Sequence, residues 1–158
     1  MLWITLIATT LAKIRAIIGG MHIPLFSTIT LITEFFVTIG VLAVIIRGYR
    51  TGVFMRALAY GVLAYETLFN ITYMATRATS APGATQVYNP YTTTLAIFHG
   101  TFSLLMFVLL VVFFMAAAQR YALGENFFRI YRRTTYAFVI AWLTSVVSGF
   151  AFFSALYL

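Results

Sequence analysis

Four long apolar stretches, separated by short polar and basic segments, dominate the sequence. They cover residues 23–46, 57–76, 93–118 and 134–158, and each reaches the length of about 20 residues that a helix needs to cross a bilayer. Apart from tyrosines, their only ionisable side chains are those of Glu34, Glu66 and His99. Because a chain in hydrocarbon must satisfy its backbone hydrogen bonds internally, we expect each stretch to form a transmembrane helix.

Residues 1–20 follow a different pattern. Apolar side chains such as Trp3, Ile7 and Leu11 recur at three- or four-residue spacing, while Thr5 and Lys13 fall on another face. This periodicity predicts an amphipathic helix, and its apolar part is too short to span a bilayer comfortably. We interpret it as a helix lying in the membrane interface, with a short extra transmembrane helix as the alternative.

Composition supports a membrane protein and excludes several other classes. Of 158 residues, 63% are hydrophobic and only 8% are charged, whereas a soluble domain carries roughly a quarter charged residues. The absence of cysteine excludes disulfides, thiolate metal sites and cysteine nucleophiles. No nucleophile–base–acid set is recognisable, so an enzyme is not expected. The prediction is one all-α domain, residues 1–158, folded as an integral membrane four-helix bundle.

The net charge of +7 comes from basic residues that cluster at the ends of the apolar stretches. Segments 47–56 and 119–133 are rich in arginine, which predicts that both face the cytoplasm, here across the plasma membrane of a prokaryote. This distribution favours membrane orientation over nucleic-acid binding. Arginines in these segments are also candidates for binding anionic lipid headgroups: Arg47, Arg50, Arg56, Arg129, Arg132 and Arg133.

Glu34 and Glu66 lie near the middle of the first two apolar stretches. From Arg56 to Glu66 is about 15 Å along a helix, and from Glu34 to Arg47 is about 20 Å, so both carboxylates are expected near the bilayer midplane. Asn70 follows Glu66 by one helical turn. His99, which begins only a turn or two inside the third stretch, is expected nearer the outer side.

Helical spacing also predicts which faces turn inward. Small side chains recur every four residues along the last stretch, at Ala137, Ala141, Ser145 and Gly149, a pattern suited to close helix contact. The first three stretches each carry a narrow polar stripe through Glu34, Glu66 or His99. We therefore expect all four helices to turn these stripes into a polar seam inside the bundle.

Three interpretations of the seam are open. Glu34 and Glu66 could be protonated packing groups, bonded to hydroxyls, to Asn70 or to each other. One of them could instead accept a bond from another subunit, or serve in a proton relay or cofactor site. A carboxylate deep in a bilayer is costly and usually functional, and therefore requires one of these explanations.

A bound cofactor is not expected. Haem needs axial ligands, and His22 lies at a helix boundary rather than across a bundle from His99. The Glu-x-x-His pairs that di-iron bundles use do not occur. For His99, a hydrogen bond to Asn70 or to a backbone carbonyl is a simpler prediction than haem ligation, which stays a weak alternative.

Several short motifs occur in a fixed order along residues 23–158. They are IRGYRTG at 46–52, FNITY at 69–73, IFHG at 97–100, FRIYRR at 128–133 and WLTSVVSG at 142–149. This layout resembles a family of small four-helix membrane proteins found beside haem-copper terminal oxidases and implicated in their assembly. In that family a glycine-and-arginine loop joins the first two helices, a histidine opens the third, and a basic loop precedes the fourth.

The resemblance includes a departure. The family usually has further histidines in both basic loops and at the end of the second helix, where this chain has Phe54, Phe127, Ala75 and Thr76. Only His99 matches. The resemblance therefore implies a non-catalytic accessory subunit of a respiratory or other redox complex, above all a terminal oxidase, with other membrane subunits and lipids as partners. The alternatives are a haem-b-type membrane electron carrier using His99 and a proton-conducting element using Glu34 and Glu66.

Overall fold

The computed structural model describes residues 25–79 and 89–157, which fold into helices joined by short connections. The helices are α1 (Leu25–Thr51), α2 (Arg56–Thr79), α3 (Pro90–Ala122), α4 (Phe127–Ile130) and α5 (Arg132–Tyr157). No β-strand occurs within these two ranges, so the all-α prediction is confirmed. Residues 1–20, for which an interfacial helix is predicted, lie outside the described residues.

Three helices in the described ranges are long and apolar enough to cross a membrane, by length and composition. They are Thr28–Thr51, Pro90–Ala122 and Arg132–Leu156. Large apolar side chains project from them without protein cover; Phe36 is 65% exposed and Ile140 is 66% exposed. Such extensive apolar surface is unusual on a water-soluble monomer, which agrees with a lipid environment. Helix α2, which has 24 residues, is more polar because it carries Glu66, Asn70 and Arg77.

The four long helices pack around one apolar core. Helix α3 lies against α5 over the most extensive interface, α1 contacts α2 and α5, and α2 contacts α3. The short helix α4 touches α1, α3 and α5 at one end. Large side chains that are fully buried in this core include those of Val41, Val44, Leu110, Phe114 and Phe128.

Helix ends extend beyond the apolar stretches that predict them. Helix α1 continues through the polar residues 47–51 and stops at Gly52, which adopts φ +73° and donates its N–H to Gly48 O at 3.0 Å. Glycine tolerates this left-handed conformation, which is a common helix stop. At the start of α3, Asn89 accepts from Thr92 N at 2.8 Å and Pro90 takes the first helical position, where its missing N–H does no harm.

Helix α4 was not apparent from the hydrophobic pattern, since it occupies four residues within the basic segment 119–133. Its Phe127 and Phe128 side chains are buried. Phe127 meets Phe113 edge-on at 5.3 Å between ring centroids, and Phe113 stacks on Phe138 at 4.3 Å. These rings fill the space between α3 and α5 at this end and so fix how far apart the two helices lie.

Candidate functional site

Glu66 is the most deeply buried carboxylate of the described chain. Its side chain is 6% exposed, and Asn70, one turn later on α2, donates from Nδ2 to Glu66 Oε2 at 3.3 Å. The same amide also donates to the Glu66 backbone carbonyl at 2.7 Å. This arrangement follows from i, i+4 spacing on a helix. Asn70 thus supplies a local partner for the carboxylate.

Glu34 faces Glu66 from α1, and the two groups are close enough for their charges to interact. Gly40 explains the proximity, because a Cβ added there would meet Val62 Cγ2 at 2.9 Å, so α1 and α2 approach closely. Glu34 precedes Gly40 by about 9 Å of helix and Glu66 follows Val62 by about 6 Å, within one turn of the same level.

The two carboxylates differ in the hydrogen bonds that their oxygens accept. Glu34 is half-buried, and within the described part of the chain it accepts no hydrogen bond. Its neighbours Phe35 and Phe36 are exposed, at 58% and 65%. A half-buried carboxyl beside an apolar surface therefore keeps hydrogen-bonding capacity that residues 25–79 and 89–157 do not fill.

Of the two predicted partners of His99, Asn70 and a backbone carbonyl, the structure supports the carbonyl, that of Ser145 on α5. The His99 Nδ1 lies 2.9 Å from Ser148 Oγ on α5, not against Asn70, so the Asn70 alternative is wrong. The reason is helix packing: α3 lies against α5 at this level, and Gly149 leaves room for the ring. A Cβ on Gly149 would come within 2.8 Å of His99 Cε1.

The proton position on His99 follows from its neighbours. Ser148 Oγ donates its single proton to Ser145 O at 2.7 Å, so it can only accept from His99 Nδ1. The Ser145 backbone carbonyl is also a hydrogen-bond partner of the His99 ring, and a carbonyl can only accept. The tautomer with the proton on Nδ1 satisfies the contact with Ser148 Oγ while that hydroxyl donates to Ser145 O. The ring also stacks on Phe152 at 6.1 Å between centroids.

A second polar contact joins α1 to α5 within the core. Trp142 Nε1 donates to Thr38 Oγ1 at 3.2 Å, and the two residues are 4% and 7% exposed. Thr38 follows Glu34 by one turn on the same face of α1, but helical spacing alone does not pair it with Trp142. The available signal was the indole N–H itself, which needs an acceptor when it is buried.

The small-residue pattern on α5 turns inward over only half its length. Ser145 is buried and Gly149 packs on His99, as close helix contact requires. Ala137, however, is exposed and Ala141 is half-buried, which corrects the expectation of a continuous inward ridge. The cause is the aromatic cluster around Phe127, which keeps α3 and α5 apart at that end.

Segments 47–56 and 119–133 meet at one end of the bundle, hereafter the basic end. Asn126 Nδ2 donates to Gly48 O at 3.1 Å, and Arg129 donates to Tyr49 O at 2.7 Å and Arg50 O at 2.9 Å. The last carbonyls of a helix have no partner within it, and here Arg129 of α4 and its N-cap residue Asn126 supply donors. Sequence reasoning missed this contact, since no local pattern pairs residues so distant along the chain.

The arginines predicted to bind lipid headgroups all lie at the basic end and are exposed: Arg47, Arg50, Arg56, Arg129, Arg132 and Arg133. They differ in what their side chains contact. The Arg129 guanidinium is occupied by the carbonyls of α1, and Arg132 lies over the Tyr136 ring at 5.4 Å. Arg120 forms an ion pair with Glu125 at 2.8 Å.

The described ranges contain no group of three or more His, Cys, Asp or Glu side chains that could hold a metal ion. What the structure does bring together is a carboxylate pair on α1 and α2, a histidine–serine contact between α3 and α5, and a basic end. No family model, curated protein or solved structure matches the chain.

Proposed function

We propose that this protein is a non-catalytic accessory subunit of a membrane-bound respiratory or other redox complex, specifically a haem-copper terminal oxidase. The motif layout supports the choice of complex by resemblance. The distribution of side chains supports an accessory role, because the described chain offers helices and short connections rather than a domain outside the bilayer. Its interaction surface is then the outer face of the helices.

The observation that carries the proposal is the unfilled carboxyl of Glu34. An unpaired carboxylate in a bilayer costs from a few to more than ten kcal/mol, and buried polar groups in folded proteins almost always have a partner. Asn70 supplies such a partner to Glu66, but nothing in the described chain does so for Glu34. An arginine or an amide of a neighbouring subunit would supply the missing hydrogen-bond donor to the Glu34 carboxyl.

In this proposal α1, α2, α3 and α5 form a four-helix transmembrane bundle, with residues 1–20 as an interfacial helix. Helix α2 is long enough to cross, since its 24 residues extend about 36 Å against a hydrocarbon core of about 30 Å. Its polar side chains do not oppose a crossing, because Glu66 is buried against the bundle.

The basic end is proposed to face the cytoplasm of a prokaryotic cell. Seven arginines of segments 47–56 and 119–133 lie there with one acidic residue, Glu125. Arginine-rich short loops are retained on the cytoplasmic side during insertion. This places loops 47–56 and 119–133 inside and the segment between α2 and α3 outside.

Native electrophoresis of membranes solubilised in mild detergent tests the proposal. We expect the wild-type chain to migrate with the subunits of a terminal oxidase. We expect Glu34→Leu to migrate free of that complex, because leucine cannot accept the proposed bond. Thermal unfolding of the purified variant should show that it folds as well as the wild type, since leucine is tolerated in a membrane helix.

Glu125→Gln is the matched control, because this acidic residue lies at the basic end and pairs with Arg120 of its own chain. It should leave co-migration unchanged. A wild-type chain that migrates alone contradicts the accessory-subunit function itself. A Glu34→Leu chain that stays in the complex contradicts only the role of Glu34. Haem binding at His99 and proton conduction through Glu34 and Glu66 stay predictions from the sequence.

A further inference from the structure

An apolar groove opens on the outer surface between α3 and α5 near the basic end. Its volume is about 420 Å³, within the range of about 300–1,000 Å³ typical of sites for small molecules. The small side chains of Ala116, Ala137 and Ala141 border it, and the stacked rings of Phe113 and Phe138 lie against it. Its lining has almost no polar surface.

The groove is shorter than the hydrocarbon thickness of one lipid leaflet. Its walls include residues 109–116 of α3 and residues 134–141 of α5, each extending about 10 Å along a helix. One leaflet of hydrocarbon is about 15 Å thick. The groove therefore runs from the basic end toward the middle of the bilayer, parallel to the helices that form it.

Arg133, a cation, directly precedes Thr134, the lining residue of α5 nearest the basic end. Arg133 precedes Ala137 and Ala141 by one and two turns and so shares their face of α5. It is exposed, and it forms no ion pair or hydrogen bond with its side chain within the described ranges. On the other wall, Arg120 is neutralised by Glu125 at 2.8 Å. Arg133 is thus the arginine available to an anion at this point.

Further donors surround Arg133. The N–H of Thr135 bonds to Tyr131 O at 2.9 Å, but the preceding N–H groups of α5, from Arg132 to Thr134, have no backbone acceptor in the described chain. The Thr134 hydroxyl, which lines the groove, also donates to no protein group there. A helix N-terminus favours a negative charge, so all of these groups suit the same anion.

We propose that this groove binds one acyl chain of an anionic phospholipid, whose phosphate is held at the mouth by Arg133 and Thr134. The apolar lining matches the acyl chain, and the cation with its neighbouring donors matches the headgroup. In the leaflet at the basic end, a phospholipid has its headgroup at the level of Arg133 and its acyl chains directed toward the middle of the bilayer, along the groove. The proposal concerns a different surface from Glu34 and does not depend on the accessory-subunit function.

Native mass spectrometry of the full chain tests this binding. The protein is reconstituted in nanodiscs with equal amounts of phosphatidylglycerol and phosphatidylcholine, and the lipid retained after release is counted. We expect the wild type to retain one phosphatidylglycerol in preference to phosphatidylcholine. Arg133→Gln should weaken phosphatidylglycerol retention about five-fold, as expected for the loss of one cation near an anionic headgroup, and should remove the preference.

The Ala137→Leu variant tests the contribution of the groove independently of the contribution of the Arg133 charge. The larger side chain fills the space between α3 and α5 and should abolish retention of both lipids while leaving Arg133 in place. Ala151→Leu is the matched control, because Ala151 is an exposed small residue on the same helix outside the groove lining. Arg120→Gln is the control for charge, since Arg120 lies at the same end and is already paired with Glu125.

Three outcomes would overturn the proposal. One is retention by Ala137→Leu at the wild-type level, and another is equal wild-type retention of both lipids. The third is a wild-type mass of two chains that Ala137→Leu converts to one, which would assign the groove to a second copy of the protein. Unchanged unfolding temperatures for Ala137→Leu and Arg133→Gln would show that any loss of lipid is not a loss of fold.

Discussion

At the residue scale, glycines decide how closely the helices approach. Gly48 is buried on α1 beneath the Phe128 ring, and a Cβ there would meet Phe128 Cδ2 and Cε2 at 2.6 Å. Gly61 on α2 has open space around the same position, with no atom within 4 Å. A side chain added at Gly48 would therefore clash with Phe128, whereas one added at Gly61 would meet no neighbour. Only the tertiary structure distinguishes these two helical glycines.

We predict that Gly48→Ala lowers the free energy of unfolding by about 1–3 kcal/mol, the usual cost of overpacking a well-filled core. Gly61→Ala should instead raise it by about 0.5–1 kcal/mol, because alanine is the better helix former and meets no obstacle. Equilibrium unfolding in detergent would measure both. Equal effects of the two substitutions would show that Phe128 does not constrain the approach at Gly48.

Carboxylates show the same dependence on surroundings. Glu34 and Glu66 are equivalent in the sequence, since each lies in the middle of an apolar stretch. In the structure Glu66 has an amide one turn away, whereas Glu34 has no donor in the described chain. This difference is the reason that Glu34, rather than Glu66, is proposed to contact another subunit.

At the scale of elements, the C-terminus of α1 is completed by a distant segment. Asn126 makes three contacts there: its Oδ1 accepts from Tyr121 OH at 2.7 Å and from Arg129 N at 3.2 Å, and its Nδ2 donates to Gly48 O. One side chain thus connects the ends of α1 and α3 with the start of α4. The connection holds the two basic segments together.

We predict that Asn126→Ala destabilises the protein by about 1–2 kcal/mol, because the Tyr121 hydroxyl and the Gly48 carbonyl each lose a partner. Hydrogen exchange should increase in residues 48–52 before it does elsewhere in α1. Gln119→Ala, an exposed substitution one turn from the end of α3, is the control and should be neutral. An Asn126→Ala protein with unchanged exchange at the end of α1 would contradict the capping role.

The separation of α3 from α5 is also decided at this scale. Residues Phe113, Phe127 and Phe138 form one aromatic cluster, and the groove proposed to hold a lipid lies beside it. A helix pair with small residues at every fourth position would otherwise be expected to close. The short helix α4 is therefore the element that keeps α3 and α5 apart and leaves the groove open.

At the scale of the whole molecule, a few polar contacts fix which helices are neighbours and at what height. Trp142 to Thr38 joins α5 to α1, and His99 to Ser148 joins α3 to α5. Apolar side chains alone select a register weakly in lipid, since lipid tails are as apolar as leucine. The polar contacts therefore favour one helix arrangement and register over the others.

A double-mutant cycle with Trp142→Phe and Thr38→Val measures the first of these contacts. We predict a coupling energy of about 0.6 kcal/mol, and at most about 1.7 kcal/mol, the values typical of hydrogen bonds between membrane helices. Phenylalanine keeps most of the ring and valine keeps the shape of threonine, so packing changes are small. Additive effects of the two substitutions would argue against the contact.

The sequence by itself determined the properties that depend on local composition. Apolar length predicted the helices, and the clustering of arginine predicted that segments 47–56 and 119–133 belong at one end, where the structure has them in contact. It did not reveal α4, because a single helical turn in a polar segment leaves no periodicity to detect.

Tertiary structure alone decided the contacts between distant residues. These include the bond of His99 to Ser148, the donation of Asn126 to Gly48, and the open position of Ala137 beside the groove. Helical periodicity assigns a side chain to a face but not to a neighbour. The neighbour depends on helix order, register and the volume of intervening side chains, all of which are set by packing across the whole bundle.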